Sequence, residues 1–150
     1  MKEEYFQSVQ SLERLHRLFL DVVKTELDNI KKIDINNVQA IIIYNIGTNQ
    51  LTVGELTNRG YYLGSNVSYN LRKMVKNEYI IQVQTPHDRR SSLVKLSPKG
   101  LELYKKLDQV FQKHSEILNN KGGKETLTQL SSSLHKLENF WSDTVISDIR

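Results

Sequence analysis

Hydrophobic residues over the first thirty positions recur at alternating spacings of four and three: Tyr5, Val9, Leu12, His16, Phe19, Val23, Glu26 and Ile30. The result is a heptad-like seam, apolar except at His16 and Glu26, and it predicts one long helix. Leu15, Leu18 and Val22 widen the stripe, so this helix is expected to pack on more than one neighbour. A second helix is predicted from Asn36, a capping residue with Gln39 three positions later, as a capping box requires. Its run Ala40–Tyr44 is nearly all apolar, which makes it central, and Gly47 is expected to end it.

The third helix carries a clear start signal: Thr52 as cap, Glu55 at the box position, and Leu51 and Leu56 placed for a hydrophobic staple. It is short and stops near Arg59–Gly60. A turn over residues 61–64 leads to a fourth helix from about Ser65 to Lys76, with Val67, Leu71 and Met74 on one face and Asn66, Tyr69, Arg72, Lys73 and Lys76 elsewhere. The period then changes. Ile81 and Val83 alternate with Gln82 and Gln84, a strand signal, and Leu93, Val94 and Leu96 make a second short apolar segment after a polar loop. Together they read as a β-hairpin with a long tip. Ser97–Pro98 starts a fifth helix striped by Leu103, Tyr104, Leu107, Phe111 and Leu118. Residues 119–123 break it, and Leu127, Leu130, Leu134, Leu137 and Trp141 stripe the last helix.

The expected fold is therefore mainly α with a small β-hairpin wing: six helices in a winged helix-turn-helix arrangement. Residues 1–150 are expected to form a single winged-helix domain. Within it, 1–34 and 101–150 supply dimerisation helices and 35–100 a DNA-binding lobe.

Charge sharpens this division. The chain of 150 residues has a net charge of +4. Residues 52–100 hold eight Lys/Arg against three acids, a net of +5, whereas the stretch before them is −1 and the stretch after them 0. A polyanion would be met in the middle third. No cysteine is present, which excludes disulfides, thiolate metal sites and thiol redox switching within the chain. The N-terminus lacks the apolar core of a signal peptide and no apolar run approaches a membrane span, so a cytoplasmic protein without membrane contact is expected.

A major groove about 12 Å wide admits one α-helix. On the fourth helix the candidates to reach base edges are Ser65, Asn66, Ser68, Tyr69, Arg72 and Lys73. Arginine can bind guanine in a bidentate manner and asparagine can do the same for adenine. Nearby lysines would hold phosphates. Arginines at a hairpin tip, here Arg89 and Arg90, suit a narrow minor groove. Tyr44, Tyr61 and Tyr62 are candidates to line an effector pocket, with ordinary packing as the plainer alternative. The four histidines are scattered without ligand spacing, and no nucleophile elbow, triad or phosphate loop occurs; neither metal, cofactor nor catalytic residue is expected.

The stretch Asp88-Arg89-Arg90-Ser91-Ser92-Leu93-Val94-Lys95-Leu96-Ser97-Pro98-Lys99-Gly100 resembles the wing signature of the MarR family: D-x-R, an apolar strand, then L-[T/S]-x-x-G. Residues 35–39 are similar to the family's L-T-x-x-Q opening of the second helix, and residues 51–56 to its L-T-x-x-E-L-A opening of the third. The resemblance spans about residues 35 to 100. It implies a sequence-specific, double-stranded-DNA-binding transcription regulator gated by a small, phenolic or otherwise aromatic effector. It also implies that the terminal helices interlock into a homodimer, presenting two recognition helices to half-sites about 34 Å apart on a pseudo-palindrome. Arg90 would enter the minor groove and Asp88 would brace it.

Three positions depart from the family pattern. Thr57 replaces the usual alanine, and Asn70 an apolar residue. Glu78 replaces a glycine, with Asn77 expected to take the left-handed conformation instead. The run from Tyr61 to Asn70 resembles an alphaproteobacterial subgroup linked to cell-wall and osmotic stress, the LdtR-like regulators. A winged-helix module binding protein rather than DNA is the alternative; Arg72, Lys73 and Lys76 argue against it.

Overall fold

The computed structural model describes residues 1–60, 64–83 and 92–146, with the backbone alone at residues 64 and 65. Among these residues the chain forms six α-helices and a three-stranded antiparallel sheet. The helices are α1 (Lys2–Asn29), α2 (Asn37–Ile46), α3 (Val53–Gly60), α4 (Gly64–Lys76), α5 (Pro98–Asn120) and α6 (Gly123–Asn139). A π-helical segment, Phe140–Ile146, continues α6. The chain divides into two compact units, Met1–Gln109 and Val110–Arg150.

Local capping explains where the helices start. At α2 the Asn36 side chain accepts from the Gln39 N–H at 2.8 Å, and Gln39 Oε1 accepts from the Asn36 N–H at 3.2 Å, closing the capping box. Gly47 ends α2 at φ +56°. Thr52 Oγ1 accepts from the Glu55 N–H at 3.0 Å at the start of α3, and Ser97 Oγ accepts from the Gly100 N–H at 3.1 Å at the start of α5.

The sheet holds one strand that sequence pattern did not predict. Leu51 and Thr52 form β1, which pairs with β3 (Leu93–Leu96), and β3 pairs with β2 (Ile80–Val83), giving the order β1-β3-β2. Two residues are too few for a period of two to register. Leu51, Ile80, Val94 and Leu96 face the core, whereas Ile81 and Val83 are 41% and 54% exposed. The apolar alternation at Ile81 and Val83 thus marks the outer face of the wing sheet. The core of the first unit gathers Val23 and Leu27 of α1, Ile42, Ile43 and Ile46 of α2, Leu56 of α3, the Val67–Leu71–Met74 stripe of α4, and Leu103 and Leu107 of α5.

The end of α4 corrects one expectation. Glu78 itself, not Asn77, takes the left-handed conformation, at φ +67°. Asn77 still donates its N–H to Lys73 O as a helical residue, and its side chain donates to Asp34 O at 2.9 Å. The Glu78 N–H then reaches Val75 O and the Tyr79 N–H reaches Met74 O, the paired bonds of a Schellman cap. The end of α1 repeats the device with Lys31 at φ +59°. Glycine usually takes such a position because it has no Cβ to clash.

A polar cluster follows that cap. Tyr79 donates to Asp34 Oδ1 at 2.6 Å, and the Lys99 ammonium donates to Asp34 Oδ2 at 2.9 Å and to Asn77 O at 2.8 Å. It also lies 4.3 Å from the centroid of the Tyr79 ring. The α1–α2 connection, the end of α4 and the start of α5 are thereby tied at one point.

Candidate nucleic-acid interface

The side chains of α4 sort by its geometry. Val67, Leu71 and Met74, at 0–2% exposure, turn inward. Asn66, Ser68, Tyr69, Arg72, Lys73 and Lys76 are exposed. Thirteen residues at 1.5 Å per residue give a rod about 20 Å long. The Lys73 ammonium stands 5.7 Å from the Tyr69 ring centroid, so this lysine and tyrosine share one side of the outer face. Among the described residues, neither Arg72 nor Lys73 pairs with a carboxylate, and their charges face outward uncompensated. A face of this kind has donors for base edges and phosphates together.

Of the residues predicted to touch DNA, Asn66, Ser68, Tyr69, Arg72 and Lys73 share this surface. Ser65 belongs to α4 by its backbone, and its side chain lies outside the described residues. Asp88, Arg89 and Arg90 also lie outside them, as do Tyr61 and Tyr62. Lys95 is exposed on the outer face of the wing sheet, opposite Ile81.

Tyr44 is half-buried and engaged. Its hydroxyl donates to Asp108 Oδ1 at 2.9 Å, and its ring lies 5.4 Å from that of Tyr104. Burial, then the bond to the Asp108 carboxylate, raises its pKa above the ordinary tyrosine value. A cavity of about 320 Å³ opens elsewhere in the same unit, bounded by the turn after α2, Ile81, Lys95 and the first residues of α5, and Tyr44 is not part of its lining.

Asn70, anomalous in the sequence, finds its partner in α2. Asn70 is 9% exposed and Gln39 6%, and Gln39 Nε2 donates to Asn70 Oδ1 at 3.1 Å. Asn70 Nδ2 donates in turn to Asn66 O at 2.9 Å. The visible signal was a lone polar residue on the inner edge of an otherwise apolar stripe.

The model of the MarR family matches residues 33–91. A curated relative, the exopolysaccharide II synthesis transcriptional activator ExpG of Rhizobium meliloti (strain 1021), is 34% identical over 140 residues, which cover 93% of this chain and 72% of the relative. The chain belongs to the MarR family. It is thus a winged helix-turn-helix transcription regulator. Solved MarR-family folds superpose on it. Staphylococcus aureus MarR in complex with salicylate and kanamycin gives a TM-score of 0.74 at 20% identity, over 95% of this chain and 93% of that one. Streptococcus pneumoniae FabT in complex with DNA gives 0.73 at 19% identity, over 93% and 98%.

The departures from the MarR pattern each find a local answer. Thr57 turns its hydroxyl back to Val53 O at 2.9 Å inside α3. Asn70 satisfies its amide internally, and Glu78 closes the Schellman cap. Gly100 of the MarR wing signature has a steric reason: a Cβ there would lie 2.2 Å from Tyr79 O. Among the described residues of this MarR-family protein, no helix is long and apolar enough to cross a membrane.

Proposed function

We propose that this MarR-family regulator binds a pseudo-palindromic operator as a homodimer, with α4 in the major groove and the wing tip in the adjacent minor groove. The observation that carries the reading is the outer face of α4, where Arg72 and Lys73 stand exposed beside Asn66, Ser68 and Tyr69, with no carboxylate partner among the described residues. In this reading Arg72 and Asn66 address base edges, Ser65, Ser68 and Tyr69 complete the contact, and Lys73 sets orientation on phosphate. Arg89 and Arg90 serve the minor groove, with Asp88 bracing Arg90, on the strength of the wing signature. S. pneumoniae FabT, of the same fold, is in complex with DNA. The protein binds and carries no chemistry of its own, and it acts in the cytoplasm, where its target is.

The homodimer is supported by large hydrophobic residues that stand exposed to solvent. On α1, Tyr5, Phe6, Leu15, Leu18, Phe19 and Val22 are between 39% and 54% exposed. On α6, Leu127, Leu130 and Leu134 are exposed in a stripe at helical spacing. Two copies joined through residues 1–34 and 101–150 would bury both stripes. An aromatic, phenolic effector is proposed beside Tyr44, with Tyr61 and Tyr62; salicylate, found in the S. aureus complex, is the natural first probe. The narrower kinship with the LdtR-like subgroup rests on residues 61–70.

Footprinting on genomic DNA tests the reading. Protection of two half-sites about one helical turn apart is expected. Uniform, sequence-blind protection, or none, would leave α4 without the assigned role.

A further inference from the structure

A chain of buried amides beneath α4 joins the helix proposed to face the bases to the capped start of α2. Asn36 and Gln39 close the capping box of α2 through Gln39 Oε1. The other end of the same amide, Nε2, donates to Asn70 Oδ1. Asn70 Nδ2 donates to the carbonyl of Asn66, whose side chain lies on the exposed face. Every polar group of the two buried amides has a specified direction, so the series runs from the start of α2 to the backbone of α4 one turn before Asn70.

An apolar residue at position 70 would pack against α2 without fixing an angle, because dispersion contacts are non-directional. An amide pair is directional and loses its bond when misaligned. The rim of side chains on a helix lies about 5–6 Å from the axis, so a rotation of about 10° displaces it by about 1 Å. Contacts to base edges tolerate little more than that.

From this geometry we infer that Gln39 and Asn70 are positioning residues that set the rotation of α4 about its own axis, and with it which base edges Asn66 and Arg72 address. They act through the helix and touch no base. The inference rests on the operator-binding reading given above. It assigns the departure at Asn70 to sequence selectivity, although a leucine there would gain apolar contact only by leaving the buried Gln39 Nε2 without its acceptor.

The test begins with duplexes selected by the wild-type dimer from a random-sequence pool, alongside a scrambled duplex of equal length. For Asn70→Leu, the ratio of affinities for selected and scrambled DNA is expected to fall about fivefold or more, the value of one misplaced bidentate contact. Affinity for the scrambled duplex and its salt slope should stay near wild type, which a general loss of folded protein would not allow, whereas the thermal midpoint should fall modestly because the Gln39 donor loses its acceptor. Gln39→Leu removes the donor to Asn70 without placing a charge in the buried site, while giving up the Oε1 half of the capping box. It should lower the ratio similarly, and the double variant, which leaves neither amide without its mate, should fall no further than Asn70→Leu alone. If Asn70→Leu does not fold, the double variant carries the test.

A wild-type protein that discriminates beside variants that discriminate equally well overturns the positioning role and leaves operator binding intact. A wild-type protein that enriches no sequence overturns both.

Discussion

The Tyr79 hydroxyl donates to Asp34 Oδ1 at 2.6 Å, across 45 positions of sequence. Asp34 belongs to the connection between α1 and α2, and Tyr79 lies just past the cap of α4. The bond therefore links a segment beside the proposed dimerisation helix to the base of the element proposed to read DNA. Burial acts to raise the Asp34 pKa, but the hydrogen bonds from Tyr79 and Lys99 outweigh it and hold the carboxyl below the ordinary aspartate value. Burial first, and then the Asp34 carboxylate, pushes the Tyr79 hydroxyl well above the ordinary tyrosine value.

These shifts fix the pH dependence of stability. A depressed carboxyl pKa stabilises the fold above the unfolded value, about 4, and that contribution is lost as pH falls further. A raised tyrosine pKa stabilises the fold below the unfolded value, about 10, and is lost as pH rises beyond it. Tyr79→Phe should cost about 1–2 kcal/mol at neutral pH and flatten the alkaline limb. Thermal melts between pH 7 and 11 check this, and an alkaline limb as steep in the variant as in wild type would count against the bond.

Glu78 pays the strain of a left-handed residue, and its side chain is exposed. Glu78→Gly should raise stability by about 1 kcal/mol, while Glu78→Val should lower it, because a β-branched side chain fits that conformation worst. Denaturant midpoints decide the order, and a destabilised glycine variant would refute the cap.

Gly100→Ala should destabilise by about 1–3 kcal/mol or more, since its methyl group would meet the Tyr79 carbonyl and Leu96 Cβ. Wild-type stability in the alanine variant would mean that α5 does not approach Tyr79 so closely.

Much of this architecture can be read in the chain before any coordinates. The capping box at Asn36 and Gln39 and the stripe of Val67, Leu71 and Met74 depend on short-range spacing, and the structure holds them as expected. What escaped depends on distant partners. Leu51 and Thr52 pair with a strand some forty residues later, and nothing in two residues announces it. Asn70 stands out as a polar residue in an apolar stripe, but in the sequence Gln39 reads only as half of a cap. That its amide could serve both ends is a three-dimensional fact. The cluster on Asp34 gathers residues spread over 65 positions, none of which is unusual alone.

Arg90→Ala should weaken operator binding by about tenfold or more while leaving the dimer intact, since it would remove a minor-groove guanidinium. Gel-shift titration beside size-exclusion chromatography separates the two properties. Unchanged affinity would refute the role assigned to the wing.

The most direct measurement is the salt dependence of duplex binding, by fluorescence anisotropy, for wild type and Arg72→Ala on selected and scrambled DNA. If the outer face of α4 reads a duplex, wild-type affinity falls steeply and log-linearly with salt, and Arg72→Ala loses mainly its preference for the selected sequence. A flat salt profile, or an equal loss on both duplexes, would contradict a base-reading Arg72 on a basic DNA-binding face.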